Sequence, residues 1–282
     1  MSLWPELLGL EFAMRQVDAG GIATRALVAG PEGGPPLLFL HGTGGHLESH
    51  LANVRAHAPH FRCYLIDMLG HGYTAKPAQD YTVDAHIDHI LAFLDAVGAQ
   101  RAHISGESLG GWVAARLAAR HPGRVGRLVL NTAGGRTNNL EANARLRDLS
   151  LKAVRDPSLD SVRARLEWLF HDKTKVTDDL VETRYRIYSQ PGFATAMERI
   201  CCLLEPAKRP AMMLTDDELR AIRAPTLVIW TSHDPQGAVS VGTGFATLIP
   251  DARLEVMEGC GHWPQFEDRA TFDRLSLAHL LG

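Results

Sequence analysis

The stretch Ala102-His103-Ile104-Ser105-Gly106-Glu107-Ser108-Leu109-Gly110-Gly111 decides the fold. A short apolar run, Ala102 to Ser105, enters a glycine-rich turn, and a segment of helical period, Leu109 to Arg120, leaves it at once. Gly106-Glu107-Ser108-Leu109-Gly110 fits G-x-S-x-G, the strand-turn-helix elbow on which a serine is held exposed by a strained turn. Glycine flanks the serine because a side chain at either position would collide in so tight a turn. The N-terminus of the following helix offers N–H groups and a favourable dipole to a developing anion. A glycine-rich turn with an idle serine is the plain alternative, and the strand before and helix after argue against it.

Outward from the elbow the same alternation recurs. Leu37 to Leu40, Cys63 to Ile66, Arg127 to Leu130, Thr226 to Trp230 and Leu254 to Met257 are short apolar runs bounded by turn residues, the signature of buried strands. Val83 to Val97 and Phe272 to Leu281 have amphipathic helical spacing. Strand and helix in alternation predict an α/β fold with a mostly parallel sheet covered on both faces. Leu10 to Val28, interrupted by Ala19-Gly20-Gly21, predicts an antiparallel hairpin at the edge. From about Ala133 to Leu219 no strand is legible, only helical segments broken at Asp156-Pro157, Gln190-Pro191-Gly192 and Arg209-Pro210. The expected organisation is a core of residues 1–132 and 220–282 with a helical lid, 133–219, inserted between two strands.

A serine is a poor nucleophile until a base takes its proton, and the base needs a carboxylate to hold its tautomer. The order expected after an elbow of this kind is serine, acid, histidine. Asp234 follows the strand ending at Trp230, and His262 follows the strand ending at Met257, so three strand ends supply Ser108, Asp234 and His262 in that order. The loop His41-Gly42-Thr43-Gly44-Gly45 follows the first central strand, which makes the backbone amides of Thr43 and Leu109 the expected oxyanion donors. That loop completes neither a dinucleotide fingerprint nor a phosphate loop, so no nucleotide site is expected. His46 and His50 have the i, i+4 spacing of a helical metal pair, but no third ligand is evident and no metal is expected. Trp168, Tyr185, Tyr188 and Phe193 are expected mainly as core, and Arg145, Arg147 and Arg155 as a solvated helical face.

Composition narrows the partners. The chain has 282 residues, 45% hydrophobic and 22% charged, and its 29 Lys and Arg nearly offset 32 Asp and Glu. That excludes disorder and a disulfide scaffold, and the scattered charge gives no footprint for nucleic acid. Four cysteines without C-x-x-C spacing read as reduced, buried thiols. Met1 to Arg15 carries Glu6 and Glu11 and has neither a basic start nor a cleavage site, so a cytoplasmic protein without a membrane span is expected.

With these motifs in place, nearly the whole chain resembles the α/β-hydrolase superfamily. Asp67-Met68-Leu69-Gly70-His71-Gly72 looks like the structural loop such enzymes carry after the second central strand. A serine nucleophile sets aside haloalkane dehalogenases and epoxide hydrolases, which use aspartate there. Within the superfamily the chain resembles the meta-cleavage product hydrolases, which cut a carbon–carbon bond in ring-opened aromatics. Pro122 to Gly135, Leu180 to Gln190 and Gly261-His262-Trp263-Pro264-Gln265-Phe266-Glu267 carry the likeness. The resemblance implies a small-molecule substrate bearing a carboxylate, no cofactor, and a homodimer. It implies that Arg184 grips the carboxylate and that Trp263 packs against the dienoate, with Gly42, Ser49 and Glu107 as further substrate contacts. Arg184 read by itself is equally a solvated lid charge among Arg163, Arg165 and Arg186. The family commonly has asparagine where this chain has Glu107 and often where it has Ser49. A carboxylesterase or lactonase using the same triad, or a non-catalytic ligand receptor on the same fold, are the other expectations.

Overall fold

The computed structural model describes residues 3–137 and 139–282. Met1 and Ser2 of the N-terminal stretch and Asn138 of the inserted segment lie outside the described residues. Eight strands form one sheet in the order β1-β2-β4-β3-β5-β6-β7-β8, where β1 is Phe12–Ala19, β2 Ile22–Ala29, β3 Pro36–Leu40, β4 Arg62–Ile66, β5 Ala102–Glu107, β6 Val125–Asn131, β7 Thr226–Thr231 and β8 Ala252–Met257. The hairpin β1–β2 pairs antiparallel through Gly20-Gly21 and β2 runs antiparallel to β4, while every pairing from β4 through β8 is parallel.

Alternation along each strand sends side chains to two cores. Leu37, Phe39, Leu65, Val129, Leu227 and Ile229 share one with Phe272 and Leu275 of the helix Arg269–Leu281. Leu38, Leu40, Ile66, Ile104, Leu130 and Trp230 share the other with the helices Val83–Ala96 and Leu109–Arg120 and with Phe245 of Val239–Leu248. Burying each such side chain contributes roughly 1.5–3 kcal/mol. The helix Val239–Leu248 was not legible because Val239, Val241, Gly242, Thr243 and Gly244 are poor helix formers. Packing explains one of them: a Cβ on Gly242 would fall 2.9 Å from Cβ of Trp230.

Between β6 and β7 the described residues form helices and turns, chiefly Leu140–Arg155, Leu159–Leu169, Asp178–Tyr188 and Phe193–Ile200. Caps fix their starts: Ser158 makes a capping box with Ser161, and the Thr177 side chain accepts from the Leu180 amide. The break expected at Arg209-Pro210 falls just before it, between the short helix Cys201–Leu204 and a new start at Arg209. Arg209-Pro210 opens the single turn Arg209–Met212, since proline is tolerated where a helix amide has no partner anyway. All four cysteines are free and buried. Among the described residues no helix is long and apolar enough to cross a membrane.

Candidate active site

Ser108 sits between β5 and its helix at φ 52° and ψ −111°, a conformation a non-glycine residue adopts only under constraint. The constraint is visible on both sides. A Cβ on Gly106 would lie 2.4 Å from the Gly110 carbonyl oxygen, and one on Gly110 would lie 2.3 Å from the Leu40 carbonyl oxygen. The turn is latched to β6, because the Ser108 amide donates to Asn131 O at 3.0 Å and the Gly134 amide donates to Ser108 O at 2.9 Å.

His262 and Asp234 meet across the ends of β7 and β8, with 2.9 Å between Nδ1 and Oδ1. Burial alone would push the imidazole down, but the Asp234 carboxylate and its hydrogen bond, helped by Glu107 and Glu267, raise its pKa instead. The loop holding His262 is fixed by neighbours. Glu267 accepts from the Gly261 amide at 2.9 Å and the His171 amide at 2.9 Å, and Thr132 Oγ1 donates to the His262 carbonyl at 3.0 Å. Gln265 accepts from Asn131 Nδ2 at 2.7 Å, which ties the same loop to β6. With Nδ1–H directed to Asp234, Nε2 is left as acceptor, and among the described residues the side-chain amide nitrogen of Gln236 donates to it at 2.8 Å. Gln236 carries no motif, only proximity to Asp234, and sequence reasoning missed it.

Thr43, Ser108, Leu109, Asp234, Gln236 and His262 line one cleft, whose further walls are Trp112, Leu146, Leu203, Leu204, Arg209 and Trp230. Helices of the inserted segment reach down to the Thr43 loop: Arg165 Nη2 donates to Thr43 O at 2.6 Å, and Tyr188 Oη donates to Gly44 O at 2.8 Å. Ser49 is occupied locally. Its hydroxyl turns back to donate to the His46 carbonyl at 2.7 Å, and like Gly42, Glu107, Arg184 and Trp263 it lies outside the lining of this cleft. It stands in a 3-10 turn, Leu47–Asn53, where a hydroxyl is drawn to the carbonyl three residues earlier.

On the other flank of His262 lies a closed polar region. Glu107 is 1% exposed, its Oε1 is 3.5 Å from His262 Nε2, and neither of its oxygens has a well-formed hydrogen bond among the described residues. Burial raises its carboxyl to about 7 against the opposing pull of His262, the Gly42 amide, Arg184 and Arg165. Gly42 makes room for it, since a Cβ there would fall 2.6 Å from Oε2. Arg184 is not a solvated lid charge: it is 0% exposed, and its guanidinium lies 4.9 Å from the Trp263 ring. Its Nε donates to His46 Nε2 at 3.3 Å, while Nη1 and Nη2 have no partner among the described residues. An arginine Nε only donates, so His46 must carry its proton on Nδ1, which lies 2.9 Å from Glu48 Oε2. Glu48 in turn pairs with Arg25, which also bonds Asp67 at 3.1 Å. Burial holds the His46 ring at about 4, neutral near pH 7. Both nitrogens of His46 are thus engaged within this relay, which sequence spacing had shown only as a possible metal pair.

Comparison with known proteins follows the same lines. The model of the family described as alpha/beta hydrolase fold matches residues 35–269. The 2-hydroxymuconate semialdehyde hydrolase of Pseudomonas putida is 34% identical over 275 residues, 93% of this chain and 92% of that protein. The 2-hydroxy-6-oxo-2,4-heptadienoate hydrolase of Pseudomonas putida F1 is 33% identical over 272 residues, 93% of this chain and 94% of that protein. A solved structure of the meta-cleavage product hydrolase of Pseudomonas fluorescens IP01 superposes with a TM-score of 0.82 at 30% identity, covering 97% of this chain and 98% of that one.

Proposed function

The chain belongs to the α/β-hydrolase fold family, and from that premise we propose that it hydrolyses a carbon–carbon bond in a 2-hydroxy-6-oxo-2,4-dienoate-type ring-fission product. The observation that carries this beyond simple ester hydrolysis is Arg184. A buried guanidinium beside Trp263 whose two Nη make no well-formed hydrogen bond among the described residues, and whose neighbouring acid Glu107 is pushed by burial towards its neutral form, is costly unless it meets an anion, and its planar fork suits a carboxylate. In this reading a dienoate with its carboxylate on Arg184 runs past His262, which stands between that region and the cleft, to bring its far ketone to Ser108.

In this reading the enol is first ketonised, with Arg184 favouring the delocalised anion. His262 takes the Ser108 proton as Oγ bonds to the ketone carbon, and Asp234 stabilises the imidazolium. The amides of Thr43 and Leu109 hold the oxyanion. The carbon–carbon bond breaks as the oxyanion collapses, the dienoate half leaves with the electron pair and is protonated by His262, and water then releases the acyl half as a carboxylic acid. For the first step the Gln236 amide gives up Nε2 to the serine hydroxyl. The inserted helices act as a lid over the cleft.

Purified protein mixed with a yellow 2-hydroxy-6-oxohexa-2,4-dienoate tests this, with a short nitrophenyl ester in parallel and Ser108→Ala as control. Rapid bleaching with release of an acid, lost by more than about 1,000-fold in the control, is expected. Ester turnover with an unbleached dienoate would replace the reading with a carboxylesterase, and Glu107 would then be the departure that marks it.

A further inference from the structure

Arg209 is a second buried arginine, in the wall of the cleft itself, and plays no part in the chemistry above. It lines the same cavity as Ser108, is 4% exposed, and its guanidinium lies 4.9 Å from the Trp112 ring. Nη1 donates to Leu203 O at 2.9 Å and Nη2 to Thr137 O at 2.8 Å. Among the described residues Nε has no partner, nor has the indole Nε1 of Trp112, which lines the cavity too. Among the described residues no carboxylate forms an ion pair with Arg209, and burial, with no acid to offset it, pushes its guanidinium down to about 10.

Joining two backbone carbonyls requires donors but no charge. A buried cation without a counter-ion costs free energy that a neutral donor at the same place would avoid. The apolar walls of the same cleft, Leu146, Leu203, Leu204 and Trp230, suit a short apolar arm. We propose that Arg209, with Trp112, is an anion-binding end of the cleft, so that the favoured substrates carry a carboxylate at the end of the acyl arm that is transferred to Ser108. The inference rests on Ser108 as nucleophile and deepens the reading above, but it holds whichever bond to the carbonyl is broken. In the dienoate case the substrate is a dioic acid, gripped by an arginine at each end.

The test uses acyl arms of equal length with and without the charge: 4-nitrophenyl hydrogen succinate against 4-nitrophenyl butyrate, and 2-hydroxy-6-oxonona-2,4-dienedioate against 2-hydroxy-6-oxonona-2,4-dienoate. The wild-type protein should favour the charged arm in each pair by about 10-fold or more in kcat/KM, the scale of a charge-assisted contact. Arg209→Met should invert that ratio, because a carboxylate then enters an apolar cleft unpaired, and Arg209→Lys should restore part of it. A wild-type preference for the uncharged arm overturns the proposal even if the variants fail to fold. So does an equal loss on both arms in Arg209→Met, which would make the residue a staple between Leu203 and Thr137. The charged-arm preference seen with esters alone, and no dienoate cleaved, would sink the carbon–carbon reading and leave this site standing. Turnover of none of the four would sink both.

Discussion

The two flanks of Ser108 are built by different means. On one, Asp234, His262 and Leu109 follow directly on β7, β8 and β5, so strand register fixes where each begins and hydrogen bonds from Glu267 and Thr132 trim the loops. On the other, Arg184 comes from the helix Asp178–Tyr188 and is aimed through side chains, His46 to Glu48 to Arg25. A position set by backbone register costs little. One set by a chain of buried ionisable groups depends on every member being present, because removing one leaves the next unpaired.

If the first flank carries the proton transfer, the largest effect should come from Asp234→Asn, which leaves the fold intact and turns the His262 tautomer. About a 10,000-fold fall in kcat is expected. A fall of less than about tenfold would detach Asp234 from the chemistry. On the second flank Arg184→Met should lose about 100-fold in kcat/KM on a dienoate, and His46→Leu about tenfold, chiefly in KM. If His46 acts only by aiming Arg184, the double variant should be no worse than Arg184→Met alone, and losses that multiply would break the relay apart into independent residues.

The smallest effect is one of stability and concerns Glu107, where the flanks join. Its carboxyl is raised by burial to about 7 from an ordinary 4.5, so the folded chain holds this proton more tightly than the unfolded one. Stability is therefore lost as pH rises from the unfolded value through the folded one, and the penalty is complete above it. Glu107→Gln should be more stable than wild type near pH 8, by at most about 3 kcal/mol, with little gain near pH 4.5. Urea unfolding at the two pH values reads the difference, and an equal gain at both would mean that ionisation of Glu107 is not its source.

How much was legible follows from the same contrast. The strands and the elbow carry local signals: apolar runs closed by turns, glycines where Gly106 and Gly110 touch backbone, and polar residues just past strand ends. The relay is invisible in one dimension. His46 and Glu48 are two apart, but Arg25 and Arg184 meet them only through the pairing of β2 with β4 and the descent of an inserted helix. Arg184 was singled out by resemblance, and nothing in its own neighbourhood told a buried fork from a solvated charge. The direction of the Ser49 hydroxyl was hidden for a related reason, since position along a loop says little about which way a hydroxyl turns. Gln236 and Arg209 have no motif at all, and only their place in the cleft distinguishes them.

Arg25 lies on β2, half of the hairpin whose other strand, β1, forms one border of the sheet. Borders of sheets open more readily than their centres, by local fluctuations that leave the rest of the molecule folded. Because the far end of the chain of contacts that orients Arg184 is moored there, each such opening frees Glu48 and then His46, and slackens the grip on a ligand carboxylate held by a residue far along the sequence. Amide exchange in β1 and β2 should therefore slow when a carboxylate ligand is bound, so that a part of the molecule touching no ligand registers its arrival.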